Sequence, residues 1–261
     1  MNPDPLVSIV TPSYNSSRFI EENIRSIMGQ SYENIEHIIV DGGSTDGTIE
    51  IIQKFEEEYT VQWISEPDEG MYDAIEKGFN MASGEIYAWL NSDDKYLPWA
   101  VDVAVDNLLE DGVEWIIGHP ARWNEDGTLY YVNPLRPHYR QKWIQNGWYH
   151  GRALGWLQQE SMFWTADLWE NKGGFPNNIE LAGDYYLWRQ FAERSGVKQI
   201  GTVISGFRKH DDQLTSDPEN YYSELPDAGV LPKIMSMLYI QNIYSLFLNF
   251  SDYLKWKDVR R

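Results

Sequence analysis

The amino-acid sequence predicts an α/β protein with a mainly parallel central sheet, helices on both faces and a C-terminal helical extension. Three features carry that expectation. Short β-branched runs without charge alternate with stretches whose apolar residues recur at helical spacing. The segments after those runs are rich in Gly, Asp, Ser and Asn. The 261 residues are 42% hydrophobic, enough to bury a sizeable core.

LVSIVT, from Leu6 to Thr11, is the first strand, covered on both faces. PSYNSS supplies turn and cap residues, and Ile20, Ile24, Ile27 and Met28 then mark one helical face. Ile35 to Val40 is a second strand, ending at DGGSTDG, and Ile49, Ile52 and Phe55 mark the next helix. Val61 to Ser65 is the third strand, Met71 to Ala82 the third helix and EIYAWL the fourth strand. Such alternation implies right-handed crossovers and parallel pairing. Beyond Pro98 it gives way to shorter strands, at Glu114 to Gly118, Thr128 to Val132, Ser161 to Trp164 and Lys198 to Phe207, amid aromatic loops.

Open α/β sheets bind ligands beyond the carboxyl ends of their strands. TPSYN, DGGSTDG, SEPDEG and NSDD all occupy such ends, so four polar loops are expected on one edge. The net charge of -19 opposes broad nucleic-acid binding and demands local neutralisation of any phosphate ligand. The absence of cysteine excludes disulfides and thiolate–zinc sites. The 12 Trp and 17 Tyr supply rings that either stack on sugars or fill the core. MNPDPLVSIV has neither a basic n-region nor an apolar h-region, which predicts a cytosolic start.

Asp93 and Asp94 stand side by side directly after an apolar strand, where like charges repel. Hard carboxylate oxygens suit Mg²⁺ or Mn²⁺, which bind through one or two carboxylates plus substrate phosphates. The alternative is a solvated loop. Asp41 ends its strand either as an acceptor for a nucleobase N–H or as an Asx-turn before Gly42-Gly43. Asp73 and Lys77 share one helical face, as an i,i+4 ion pair does. Asp184 opens a helix whose Leu187, Trp188 and Phe191 pack inward, where the helix dipole favours an acid. The glycines spell neither the dinucleotide fingerprint nor a P-loop.

VSIVTPSYN, IIVDGGSTDGT, GEIYAWLNSDD and LAGDYYLW, in that order, resemble the inverting family 2 glycosyltransferases of the GT-A fold, a Rossmann-like sheet. The resemblance implies transfer of a sugar from a nucleotide diphosphate, UDP by family habit, with Mn²⁺ or Mg²⁺. The implied acceptor is a hydroxyl of a saccharide or lipid-linked saccharide in cell-surface polysaccharide synthesis. Residues 1–225 become the catalytic domain, with 1–98 as its nucleotide-binding half and 99–225 as its acceptor-binding half. Thr11, Pro12, Tyr14 and Asp41 are then expected to hold the base, and Asp73 and Lys77 to touch the nucleotide. Asn91, Ser92 and Asp93 form the D-x-D-type motif, with Asn91 departing from its first acid. Asp93 and His210 are the implied metal ligands, with Arg208 and Lys209 adding positive charge nearby. Asp184 is the implied general base for the acceptor hydroxyl.

Trp156, Gln158, Gln159, Glu160 and Trp164 form either an acceptor groove or, for the tryptophans, core packing. Residues 226–261 carry Leu231, Ile234, Met235 and Leu238 at helical spacing and end in Lys255, Trp256, Lys257, Arg260 and Arg261. This segment is too polar for a membrane span. It suits a peripheral contact at the inner membrane face or packing against the domain or a twin subunit. A sugar-binding module without chemistry would explain the rings and Asn91, but it gives Asp184 no role. A nucleotidyltransferase would need a glycine-rich, Arg- or Lys-bearing triphosphate loop, which this N-terminus lacks.

Overall fold

Strand residues of opposite parity bury against different helices, and this two-sided burial makes the sheet the centre of the molecule. The computed structural model describes residues 2–151, 154–176, 179–211, 213 and 218–226. The expected C-terminal helix and its basic end fall outside the described residues.

Strands β1 (Val7–Ser13), β2 (Ile35–Asp41) and β3 (Val61–Ser65) pair in parallel, and β4 (Ile86–Trp89) pairs in parallel on the other side of β1. Helices α1 (Ile20–Met28), α2 (Thr48–Glu56) and α3 (Met71–Met81) connect them. The full sheet runs β3-β2-β1-β4-β8-β5-β9. Here β5 is Trp115–Ile117, β8 is Met162–Thr165 and β9 is Lys198–Gln199. Only β8 runs against its neighbours, so the sheet is mainly parallel as expected.

Val7, Ile9, Ile86 and Ala88 pack with α1 and with α4 (Ala100–Leu108) on one face. Val10, Tyr87 and Trp89 pack on the other, with α3, α5 (Gln141–Gln145), α6 (Ala166–Glu170) and α7 (Gly183–Arg194). The close approach of α3 to β1 depends on Gly78, where a Cβ would stand 2.4 Å from Val10 Cγ1.

A second sheet, β10-β6-β7, joins Phe207–Arg208, Ala121–Trp123 and Leu129–Val132. The single strand expected from Lys198 to Phe207 is therefore split. Ile200 and Ile204 both turn into the α4 core, which takes the chain out of the main sheet after Gln199. Gly206 then passes so close to β6 that a Cβ would lie 2.9 Å from the Ala121 carbonyl carbon. The last described helix, α8 (Pro218–Ser223), sets Tyr221 against Ala182 and Tyr185 at the start of α7. Among the described residues, no helix is long and apolar enough to cross a membrane.

Candidate active site

The loops after β1, β2, β3 and β4 bind one another directly. The Asn15 N–H donates to Ser44 Oγ (2.7 Å), and the Thr45 N–H donates to Asn15 Oδ1 (3.0 Å). Ser16 Oγ meets Ser92 Oγ at 2.7 Å, and the Glu66 N–H donates to the Asp41 carbonyl at 3.0 Å. The expected convergence on one edge is met.

Asp41 is fully buried in this cluster. Its Oδ2 accepts from the Gly43 N–H (3.0 Å), the Ser44 N–H (2.8 Å) and Ser65 Oγ (2.8 Å), and its Oδ1 accepts from Ser44 Oγ (2.5 Å). The Asx-turn reading is thus realised, with Gly43 at φ +83. Thr11 has the strand parity of Val7 and Ile9, so its hydroxyl turns under α1, 3.0 Å from His37 Nε2. Pro12 is buried beside Val40, while Tyr14 is 66% exposed at the rim. Lys77 Nζ lies 3.1 Å from Asp73 Oδ2 and 2.9 Å from Glu66 Oε1, so this pair is the ordinary ion pair, extended to the third loop.

The fourth loop is clamped from both sides. Asn23 Nδ2 donates to the carbonyls of Asn91 (2.9 Å) and Asp94 (3.0 Å), and Asn91 Oδ1 accepts from Trp89 Nε1 (2.6 Å). Ser92 is buried against Ser16. Asp94 is buried and accepts the Arg208 N–H at 2.9 Å. Burial pushes its carboxyl well above the usual range, with Asp93 and Glu160 adding.

Arg208 brings its positive charge next to the Asp93–Asp94 loop from a buried position. It is 2% exposed, because β10 pairing turns it inward while Lys209 stays on the surface. Its Nε donates to the Asp93 carbonyl (2.5 Å), its Nη1 to the Glu125 carbonyl (2.9 Å) and its Nη2 to Glu22 Oε2 (2.6 Å). Burial alone would raise Glu22, but Lys95 and Arg208 hold it below the usual range. This buried cation neutralises the acidic loop from beneath.

Asp93 and His210 do meet: Oδ2 and Nε2 are 2.9 Å apart, with side-chain exposures of 29% and 5%. This is ordinary hydrogen-bond distance; the carboxylate is a hard ligand suited to Mg²⁺ or Mn²⁺, and the imidazole beside it would share the ion. Among the described residues no group of three or more His, Cys, Asp or Glu is assembled to hold a metal. The remaining coordination positions would fall to phosphate oxygens and water.

Asp184 sits in the first turn of α7, half-buried. Its Oδ1 accepts from the Tyr185 N–H (2.7 Å) and the Tyr221 hydroxyl (3.0 Å), while its Oδ2 accepts no hydrogen bond from the described residues. Burial pushes this carboxyl up to about 6, against the two hydrogen bonds and with Glu224 adding. Glu224 itself accepts the N–H groups of Leu181 (3.0 Å) and Ala182 (2.8 Å), latching the segment after α8 onto the positive end of α7.

A run of contacts joins the Asn91 end of the fourth loop to the start of α7. The Trp89 indole that holds Asn91 meets Tyr72 edge-on at 5.8 Å. The Tyr72 hydroxyl donates to the Leu181 carbonyl at 2.7 Å, and a Cβ on Gly183 would lie 2.4 Å from its ring. Of the expected groove residues, Trp164 is fully buried in the aromatic core. Trp156 keeps 37% exposure, stacked on Tyr222 and edge-on to Tyr221 at 5.1 Å. Glu160 is buried, and burial raises its carboxyl to about 8, with the charges of Asp93 and Asp184 adding. Sequence reasoning missed Tyr72, Tyr221 and Glu224, whose roles rest on contacts between distant segments.

The family profile described as "Glycosyl transferase family 2" matches residues 8–166. The chain is 28% identical to an uncharacterized glycosyltransferase of Rickettsia typhi, covering 94% of this chain and 78% of that protein. It is 27% identical to the hyaluronan synthase of Pasteurella multocida over 82% of this chain, which is 22% of the synthase. The crystal structure of S. aureus TarS 1–349 in complex with UDP-GlcNAc has the same fold, at a TM-score of 0.67 and 17% identity. The match covers 84% of this chain and 64% of that one, so this chain spans less than two thirds of that structure.

Proposed function

The chain belongs to glycosyl transferase family 2 and has its GT-A fold, and from that premise we propose that it moves one sugar from a nucleotide diphosphate donor to a saccharide hydroxyl, inverting the anomeric centre. Residues 1–98 form the donor half and residues 99–225 the acceptor half. The base rests against Pro12, the open ring of Tyr14 and the turn that Asp41 shapes. Thr11 contributes backbone, and the Asp73–Lys77 pair flanks the nucleotide. Asp93 and His210 would hold Mg²⁺ or Mn²⁺, with Asn91 and Ser92 fixing the loop around them. When bound, that cation supplies charge stabilisation for the departing diphosphate.

Asp184 Oδ2 takes the proton of the acceptor hydroxyl while the oxygen attacks from the face opposite the leaving group. The observation that carries this reading is the division of labour within that carboxylate. One oxygen is pinned by two donors and the other accepts none from the described residues, and a value near 6 leaves the group ionised at neutral pH yet more basic than an exposed aspartate. The Trp156–Tyr222 stack beside it supports a saccharide or lipid-linked saccharide as acceptor. The hyaluronan synthase likeness supports polysaccharide synthesis, with UDP-sugars as the first donors to try. A binding module without chemistry leaves these two acids unexplained.

The test is a donor panel of UDP-glucose, UDP-GlcNAc, UDP-galactose and GDP-mannose, each with Mn²⁺, Mg²⁺ or EDTA, read as nucleoside diphosphate release. Release from one donor class, stopped by EDTA, is expected. No release from any donor would reject the function, and release indifferent to EDTA would reject the metal.

A further inference from the structure

Three polar side chains follow one another on the turn that leads into β8, and they are treated differently. Gln158 is used up on β6, where its Oε1 accepts the Ala121 N–H (2.9 Å) and its Nε2 donates to the Ala121 carbonyl (3.0 Å). Gln159 donates to the Trp89 carbonyl at the end of β4. Glu160 is 3% exposed, and its Oε1 has no hydrogen-bond partner among the described residues. A buried carboxyl oxygen left unpaired is costly, and native proteins rarely keep one without a reason.

The turn cannot relax to supply a partner. The Gly118 N–H donates to the Ser161 carbonyl at 2.8 Å, and a Cβ on Gly118 would lie 3.1 Å from that of Ser161. The Gln159 bond fixes the turn two residues before Asn91. On its other side, the Tyr139 hydroxyl donates to the carbonyl of Trp156 (3.0 Å), whose ring abuts Tyr221, the partner of Asp184. The turn that carries Glu160 is thus tied on one side to the end of β4, just before the Asn91–Asp94 loop, and on the other to Trp156 and, through Tyr221, to Asp184.

In an in-line displacement, the group lying between leaving group and base is the transferred sugar. Resting on the function proposed above, we infer that Glu160 recognises the donor sugar, its unpaired oxygen hydrogen-bonding a hydroxyl of the ring being transferred. Chemical complementarity is direct: a sugar hydroxyl donates, a carboxyl oxygen accepts, and a hydroxyl in this place would satisfy the oxygen that the described residues leave open. A site built around a buried polar group rejects ligands that lack its partner, so Glu160 is a specificity determinant rather than the proton acceptor.

The experiment compares wild type, Glu160→Gln and Glu160→Ala in full-length protein with Mn²⁺. It measures affinity for UDP-GlcNAc, UDP-glucose and UDP alone, with Tm on the same samples. The alanine variant should weaken the preferred UDP-sugar by about tenfold while UDP stays within about twofold. Glu160→Gln, which keeps a donor and an acceptor at the same volume, should fall between them without a loss of Tm. UDP and UDP-sugar weakening in parallel, or neither changing, would assign Glu160 to packing or a buried water and overturn the inference while wild-type transfer stands. Wild type that binds no nucleotide sugar would instead remove the parent function together with this inference.

Discussion

Asp41 and Asp184 are both carboxylates at the ends of secondary structure on one rim, and the protein treats them in opposite ways. Asp41 is saturated by four donors from its own loop and from β3. Asp184 receives two donors on one oxygen and none from the described residues on the other, with Glu160 still less provided for. Where four donors converge on one carboxylate, the acid fixes backbone shape. Where hydrogen bonds are withheld in a buried setting, the proton affinity rises and the group is kept for chemistry.

That contrast can be broken by substitution. Asp184→Asn should lower transfer roughly a thousandfold while leaving nucleotide binding intact, seen as single-turnover rate against donor Kd. An equal loss of chemistry from Asp41→Asn at unchanged stability would erase the contrast. Asp93→Asn should slow turnover on the order of 100-fold and weaken the response to added Mn²⁺. If the Mn²⁺ response survives in that variant, the cation sits elsewhere. Ser65→Ala removes one of the donors to Asp41 and should cost about 1 kcal/mol of stability in denaturant titration, with catalysis per folded molecule unchanged.

The first four strands and three helices were legible because each is written in local periodicity, and so was the gathering of their loops. Asp93 with His210 and the start of α7 at Asp184 were also within reach of motif reading. Strand parity, already present in Val7, Ile9 and Thr11, would have shown that the Thr11 side chain turns under α1. The expected strand from Lys198 to Phe207 carries Gly201 and Gly206, which mark its interruption locally, but nothing local signals that Ile200 and Ile204 turn toward α4. Arg208 was legible as a positive charge near the site, and only the pairing of β10 with β6 explains its burial. Tyr221 and Glu224 lie 37 and 40 or more residues from the groups they hold, a separation that carries no local signal.

The pH dependence of kcat/KM, measured for wild type and Tyr221→Phe, tests the central claim most directly. In wild type, activity should fall as Asp184 is protonated below about pH 6. The Tyr221 hydroxyl favours the ionised carboxylate, so its removal should move that acid limb to higher pH with the slope kept. A wild-type profile flat from about pH 5 to 7, or a limb that Tyr221→Phe leaves in place, would contradict the account.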